Sequence, residues 1–398
     1  MLTLEKVRAA QSVLREAAYR TDVIHADKLT TDCKLYLKAE NLQRTGSFKL
    51  RGAYYKISTL TSEEKARGVI ACSAGNHAQG VALAAAENSI PALICLPEGA
   101  PISKVEATRR YGAEICLVPG VYDDAYKRAL QLRDERGYTF IHPFDDEDVI
   151  AGQATVGLEI VEQLKDVDAI VVPVGGGGLI AGVAFAAKAV KPNVKIYGVQ
   201  ASGAASMLGA LRDDRIEALP SVSTIADGIA VKQPGNLTFE YCKKYVNAVV
   251  TVSDEEIAQT ILALLEQEKV VAEGAGATAV AAILANKLPE LKGKTVCCVV
   301  SGGNIDVTIL SRVIDRGLQM SGRKCTLNIE LPDKPRQLVS VLQIIAACGA
   351  NVVSVYHEHA RASGDVIGCF VRIEIETRDF MHVKEIKQKI KAAGYSIS

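Results

Sequence analysis

Apolar residues run along this chain in short unbroken stretches, separated by segments with helical spacing. Leu35-Tyr36-Leu37-Lys38-Ala39, Val69-Ile70-Ala71-Cys72, Ala92-Leu93-Ile94-Cys95-Leu96 and Glu114 to Val118 read as strands. Ala169 to Val174, Lys195 to Val199, Ala248 to Val252 and Val296 to Val300 continue the series. Between them the pattern predicts helices at about Leu4 to Ala18, Phe48 to Leu60 and Asn76 to Glu87. Another begins with Ser103 as its cap and ends before Gly112, and a further one, Asp123 to Arg136, is stopped by Gly137. Continuous apolar strands alternating with helices imply parallel sheets covered on both faces, hence an α/β fold.

The pattern changes near Leu318. It then predicts strand Thr326 to Leu331, helix Pro335 to Cys348, strand Val352 to Glu358, strand Val366 to Ile375, helix Phe380 to Ala392 and a short last strand. That order is a small βαββαβ unit of the ferredoxin-like kind. Ser321-Gly322-Arg323-Lys324 reads as the linker. The expected organisation is a domain over residues 1–320, with a small lobe at about 45–145 inserted in a larger lobe, and a second domain over 325–398. One run, Ala169 to Ala187, carries no charge and approaches the ~20 residues of a membrane span. Pro173 and the glycines Gly175 to Gly178 interrupt it, so strand, loop and buried helix is the expectation.

Composition narrows the function classes. The chain has 398 residues, 46 Lys plus Arg and 46 Asp plus Glu, so it offers no electrostatic case for nucleic acid or an anionic membrane. Its 10 cysteines include no Cys-x-x-Cys pair, and several sit inside strand-like runs, as small core residues do in a reducing compartment. Glu5, Lys6 and Arg8 leave no apolar signal core, so a cytoplasmic location is expected.

Four turns from strand to helix carry the candidate chemistry. The first is Thr45-Gly46-Ser47-Phe48-Lys49-Leu50-Arg51-Gly52. Ser47 is the expected N-cap, which puts Lys49 in the first turn, where the helix dipole disfavours a cation. A lysine that sheds its proton can act as a nucleophile on a carbonyl. Taken alone, Lys49 reads more simply as a surface lysine; the other three turns reverse that order. Val174-Gly175-Gly176-Gly177-Gly178-Leu179 leaves backbone amides bare at a helix start, which suits phosphate. Gly176-x-Gly178-x-x-Ala181 fits a dinucleotide pattern, but Gln200 stands where an acid would hold the ribose, which favours a monophosphate. In Ser73-Ala74-Gly75-Asn76-His77, Ser73 and Asn76 read as caps, and the amides freed there suit a carboxylate. His77 reads as a hydrogen-bonded structural histidine rather than a base. Val299-Val300-Ser301-Gly302-Gly303-Asn304 ends a strand, with Ser301 offering a neutral hydrogen bond.

In this order the four motifs resemble those of the threonine/serine dehydratases, which are fold-type II pyridoxal-phosphate enzymes. The resemblance spans about residues 1–319. The C-terminal unit resembles an ACT domain, an amino-acid-sensing module, at Asp333-Lys334-Pro335-Arg336-Gln337-Leu338 and Gly349-Ala350-Asn351. The resemblance implies a two-lobed catalytic domain that holds pyridoxal phosphate covalently on Lys49, with Phe48 packed beside it. It places Gly175, Gly176, Gly177, Gly178 and Leu179 on the phosphate, Asn76 on the ring oxygen and Ser301 on the ring nitrogen. Gly228 and Glu273 would line the same cofactor site. Lys49 and Ser301 would be the catalytic pair. Ser73, Ala74, Gly75, Asn76 and His77 would hold the substrate, and Asp333, Gln337, Leu338 and Asn351 the effector.

The implied activity is conversion of L-threonine to 2-oxobutanoate and ammonia, with L-serine as a second substrate. A neutral serine at the ring nitrogen favours elimination, because charge at the substrate Cα is then less delocalised. The implied partners are an amino-acid substrate and an amino-acid effector such as isoleucine or valine, in a homodimer or homotetramer. Ala74 stands where racemising relatives carry a second serine. Gln200 and Ser206 stand where those relatives carry acids for a divalent ion, so no metal is expected. Thr21-Asp22 replaces the usual Thr-Pro. His357 and His359, on one strand face, read as surface histidines rather than a metal pair. Two readings stay beside this one: another elimination or replacement enzyme on the same fold, and a catalytically inactive amino-acid sensor. A nicotinamide dehydrogenase is a third, against which Gln200 counts.

Overall fold

The computed structural model describes residues 2–358 and 368–397. The chain divides into two compact units, Met1–Asp306 and Val307–Ser398. In the first unit the strands are β1 (Val23–His25), β2 (Lys34–Lys38), β3 (Val69–Cys72), β4 (Ala92–Pro97), β5 (Glu114–Val118), β6 (Thr139–Phe140), β7 (Ala169–Pro173), β8 (Lys195–Ala201), β9 (Ala248–Val252) and β10 (Thr295–Val299). A six-stranded sheet has the order β1-β2-β10-β7-β8-β9 and is parallel except for the edge pair β1–β2. A four-stranded parallel sheet, β5-β4-β3-β6, falls in sequence between β2 and β7. The apolar run after Ala169 is β7, a glycine turn and the helix Gly178–Val190, as its proline and glycines imply. Among the described residues no helix is long and apolar enough to cross a membrane.

The second unit contains β11 (Lys324–Pro332), the helix Gln337–Ala347, β12 (Asn351–Glu358), β13 (Gly368–Glu376), the helix Phe380–Ala392 and β14 (Ser396–Ile397). Its sheet is antiparallel, in the order β12-β13-β11-β14. The helix Val307–Met320, expected with the first domain, belongs to this unit, so the boundary lies about one helix earlier than composition suggests. The start of the strand expected from Val366 lies outside the described residues.

The helix Glu147–Gln163 has no counterpart in the sequence reading, yet every residue from Val149 to Val161 is buried. A helix apolar on all sides shows no amphipathic stripe. Its start is well marked, since Asp146 Oδ1 accepts from the amides of Asp148 and Val149 at 2.8 and 3.1 Å. It packs between the Lys49–Ser58 and Gly178–Val190 helices. Gly152 makes the first contact possible: a Cβ there would stand 2.4 Å from the Arg51 carbonyl oxygen.

Four buried charges hold this junction. Arg51 Nε and Nη2 each donate to Glu40 at 2.8 Å, and Nη1 and Nη2 donate to Glu159 at 2.6 and 2.9 Å. Lys38 Nζ donates to Glu159 at 2.6 Å, to Gln163 at 2.9 Å and to the Thr21 carbonyl at 2.7 Å. Thr21 Oγ1 donates to Glu40 at 2.5 Å, so the Thr21-Asp22 departure still leaves an ordered loop. All four charged side chains are enclosed, and their charges cancel. Burial by itself would raise the Glu40 carboxyl, but Arg51 and Lys38 hold it below the usual glutamate range. A carboxyl lowered in the folded state stabilises above its unfolded pKa, and that contribution is lost as pH falls through the lowered value.

Neutralising Glu159 leaves two buried cations facing the single carboxylate of Glu40, and the one uncompensated charge costs about 3–5 kcal/mol. Glu159→Gln is therefore expected to lower the unfolding free energy of the first unit, extrapolated from urea titrations read by circular dichroism, by that amount. A loss under about 1 kcal/mol would put the network among ordinary surface pairs.

Candidate active site

The Lys49–Ser58 helix has Phe48, not Ser47, at its N-cap position, and no side chain caps it. Ser47 is displaced from that role because its backbone pairs with Gly302 in an isolated bridge. Its hydroxyl is buried and has no partner among the described residues. Phe48 N donates to the Ser301 carbonyl at 3.1 Å, and Gly303 N donates to the Gly46 carbonyl at 2.9 Å. The Lys49 turn is thus stitched to the turn that follows β10.

Lys49 Nζ donates to the Pro143 carbonyl at 3.0 Å and lies 5.3 Å from the centre of the Phe48 ring. Burial lowers its pKa to about 8, against the opposing pull of Glu273. A place in the first turn of a helix predicts a shift in this direction from the helix dipole; desolvation is the cause the structure shows. Glu273 precedes the helix Gly274–Leu284, and its amide donates to the Gly302 carbonyl at 3.1 Å. Burial, then the charge of Asp227, raises its carboxyl to about 7, while a hydrogen bond from Asn76 and the charges of Lys104 and Lys49 oppose the rise.

Neither Ser73 nor Asn76 caps the Asn76–Glu87 helix; Gly75 holds the cap position. Ser73 Oγ accepts instead from Gly75 N at 3.1 Å. Asn76 Nδ2 donates to Glu273 Oε1 at 2.6 Å, and its Oδ1 accepts from Asn304 Nδ2 at 2.8 Å, which leaves one Asn76 N–H for a ligand. The amides of Ala74, Asn76, His77 and Ala78 find no acceptor among the described residues. The His77 ring bonds the Ile141 carbonyl at 2.8 Å and is held neutral, its pKa pushed to about 3 by burial and by Lys49. It is structural, as expected, and only its amide faces the turn. Gly228 belongs to this group too, since a Cβ there would sit 3.5 Å from Glu273 Oε1. Ser301 is buried just after β10, and its carbonyl accepts from Phe48 N.

Six successive amides, Gly175 to Ile180, likewise find no acceptor among the described residues. Helix starts normally leave such donors to water, but here every residue from Gly176 to Ile180 is buried. A row of enclosed donors is a seat for an anion. The glycines also serve packing: a Cβ on Gly176 would stand 2.4 Å from the Phe144 ring, and Gly177 has φ +97°.

Three residues at the site were not singled out from sequence. His142 Nδ1 accepts from the amides of Phe144 and Asp145 at 3.3 and 2.7 Å, and that bend places Pro143 on Lys49 and Phe144 on Gly176. Asp145 accepts from the amides of Asn236, Leu237 and Thr238, starting the Asn236–Tyr245 helix that holds the glycine turn through Thr238 Oγ1 and the Gly176 carbonyl. Asn304 links Asn76 to the Thr45 carbonyl. Gln200 is spent on the Val174 and Ala204 carbonyls and the Leu208 amide, so it has no ribose to serve. Ser103, expected as a helix cap, bonds Asp306 instead, and Pro101 holds the cap position.

The four effector candidates do not gather within one chain. Asp333 follows β11 and Gln337 opens the next helix, with Leu338 half-buried against the core of the unit. Asn351 pairs with Glu376, at the far end of β13 from Gly368, which pairs with Pro332. The length of a strand separates Asn351 from Asp333. His359 lies outside the described residues.

Residues 14–302 match the family model described as pyridoxal-phosphate dependent enzyme. An L-threonine ammonia-lyase of Thermotoga maritima is 51% identical over 100% of this chain and 99% of its own length. The L-threonine ammonia-lyase of Geobacter sulfurreducens is 45% identical over the same shares. Among solved structures, processed threonine deaminase isoform 2 of Solanum lycopersicum has a TM-score of 0.75 at 39% identity, covering 78% of this chain and 92% of that one. Maize serine racemase has a TM-score of 0.75 at 35% identity, covering 80% and 98%.

With ligand removed, Lys49 is expected to react with formaldehyde under reducing conditions at a rate that rises through about pH 8, well below ordinary lysines. Peptide mapping of the methylated protein measures this. A rate that climbs only near pH 10.5, the unperturbed value, would contradict an enclosed amine.

Proposed function

The chain belongs to the pyridoxal-phosphate-dependent enzyme family, and on that premise we propose that it converts L-threonine to 2-oxobutanoate and ammonia, and L-serine to pyruvate. The observation that carries this reading is the enclosed Lys49 amine, joined through the Pro143-Phe144 bend to a row of buried amides without acceptors. The residues present fit the cofactor. Gly175, Gly176, Gly177, Gly178 and Leu179 would hold its phosphate, Asn76 its ring oxygen and Ser301 its ring nitrogen, with Phe48, Gly228 and Glu273 lining the rest. When bound, pyridoxal phosphate supplies an electron sink for the pair released at the substrate Cα.

The remaining work falls to the chain. The amides around Ser73, Ala74, Gly75, Asn76 and His77 fix the substrate carboxylate. Lys49 Nζ, neutral in a useful fraction near pH 8, takes the proton from Cα. The β-hydroxyl leaves as water, the proton taken from Cα balancing the departing hydroxide, and the released enamine tautomerises and is hydrolysed by one water to the 2-oxo acid and ammonium. Ala74 offers no proton donor on the opposite face, which supports elimination over racemisation. The Glu273 carboxyl, raised to about 7, stays partly protonated and limits repulsion from bound anions.

We also read the second unit as an ACT-type regulatory module. Its βαββαβ order and antiparallel sheet support this, as does the full-length match to the Thermotoga relative. The effector would be an amino acid such as isoleucine or valine, held at Asp333, Gln337 and Leu338; Asn351 would join only from a second copy. Val353, Val355 and Tyr356 are exposed on the edge strand β12, which supports pairing into a dimer or tetramer. Ten free cysteines suit a reducing cytoplasm.

Lys49→Ala is expected to cut 2-oxobutanoate formation by at least about 10²–10⁴-fold, as loss of a positioned base does. A variant that kept full activity would end the proposal. Isoleucine or valine is expected to shift the threonine concentration at half-maximal rate, and Gln337→Ala to abolish the shift without lowering kcat. An unchanged response in that variant would remove the effector assignment.

A further inference from the structure

The second unit brings together three side chains that no motif connects. Asp333 follows the end of β11, His357 sits near the end of β12 and Cys369 near the start of β13. The ladder explains why they meet. Cys369 lies opposite Leu331, two residues before Asp333, and His357 lies opposite Val371, two residues after Cys369. Side chains two apart on a strand share a face, so Cys369 and His357 point to the same side of the sheet, and Asp333 leaves the end of β11 beside them. A thiol, an imidazole nitrogen and a carboxylate oxygen there all lie within 4.8 Å of one another.

We propose that Asp333, His357 and Cys369 form a binding site for a divalent transition metal, zinc above all, with one position open to water or a small ligand. The donor set favours zinc because it mixes a soft sulfur with imidazole and carboxylate. Ligands around a tetrahedral zinc stand about 3.3–3.8 Å apart, from metal distances of about 2.0–2.3 Å. Closing from the present separations asks for about 1 Å of side-chain adjustment. Asp333 and His357 are exposed, whereas Cys369 is buried in the core of the unit. The bound ion would tie the ends of β11, β12 and β13 at one corner. This inference does not rest on the activity proposed for the first unit or on an amino-acid effector.

The test uses the full-length protein with cobalt(II) and zinc as probes. Wild type is expected to take up one cobalt per chain with a sulfur-to-metal charge-transfer band, and one zinc is expected to displace it. His357→Ala, at an exposed position, is expected to weaken binding at least about tenfold and leave the fold intact. Cys369→Ser is expected to abolish the band; its circular dichroism, compared with wild type, shows that the unit still folds. The proposal is overturned if wild type binds no more cobalt than the two variants. It is equally overturned if both variants keep the band, because the metal then lies elsewhere.

Discussion

The first unit depends on a balanced set of four enclosed charges. Arg51 sits two residues after Lys49 and is gripped by Glu40 and Glu159, while Lys38 shares Glu159 Oε2 with Arg51 Nη2. These residues come from β2, the turn after it, the Lys49 helix and the Glu147–Gln163 helix. An apolar contact could hold those elements at a similar distance, but it would allow them to slide. Directed ion pairs leave one rotation and one register for the helix that presents the amine. Arrangements of this kind add little net stability, and each member becomes costly to remove. Their contribution here is to fix where the Lys49 side chain starts.

The site follows from that anchor. The bend His142 to Asp145 takes the Lys49 amine on one side and packs Phe144 into the glycine turn on the other. Asn76, Glu273 and Asn304 close the opposite wall with bonds of 2.6 and 2.8 Å. The amides of the glycine turn and of the Ser73 turn are left over for anions. Burial does two jobs at once: it removes water that would compete for the glycine-turn amides, and it brings the Lys49 amine down to about 8. The bare, enclosed amides of the glycine turn and the lowered pKa of Lys49 thus share one physical cause.

Much of this was legible in the sequence wherever the signal is local. Strand, glycines and helix follow one another within Ala169 to Val190, and the turns at Lys49, Ser73 and Ser301 were read from the same logic. The failures are equally instructive. Ser47 has the right side chain for a cap, but pairing with Gly302, far along the chain, takes its backbone elsewhere. The Glu147–Gln163 helix is buried on all sides and so shows no stripe. His142, Asp145 and Asn304 act through bonds to distant turns, and no spacing rule marks such residues. Asp333, His357 and Cys369 come together only through strand register.

The position of β10 has a consequence for how the protein is made. This strand lies between β2 and β7, and it leads into Ser301 and Gly302. On the ribosome, β2 emerges early but cannot pair with β10 until roughly 260 further residues are translated, on the order of ten to fifty seconds. The central seam of the larger sheet is therefore the last to zip, and the reaction centre appears with it. A truncated or stalled chain holds Lys49 without its enclosing turns, so the nascent protein stays inert until the first unit is nearly complete.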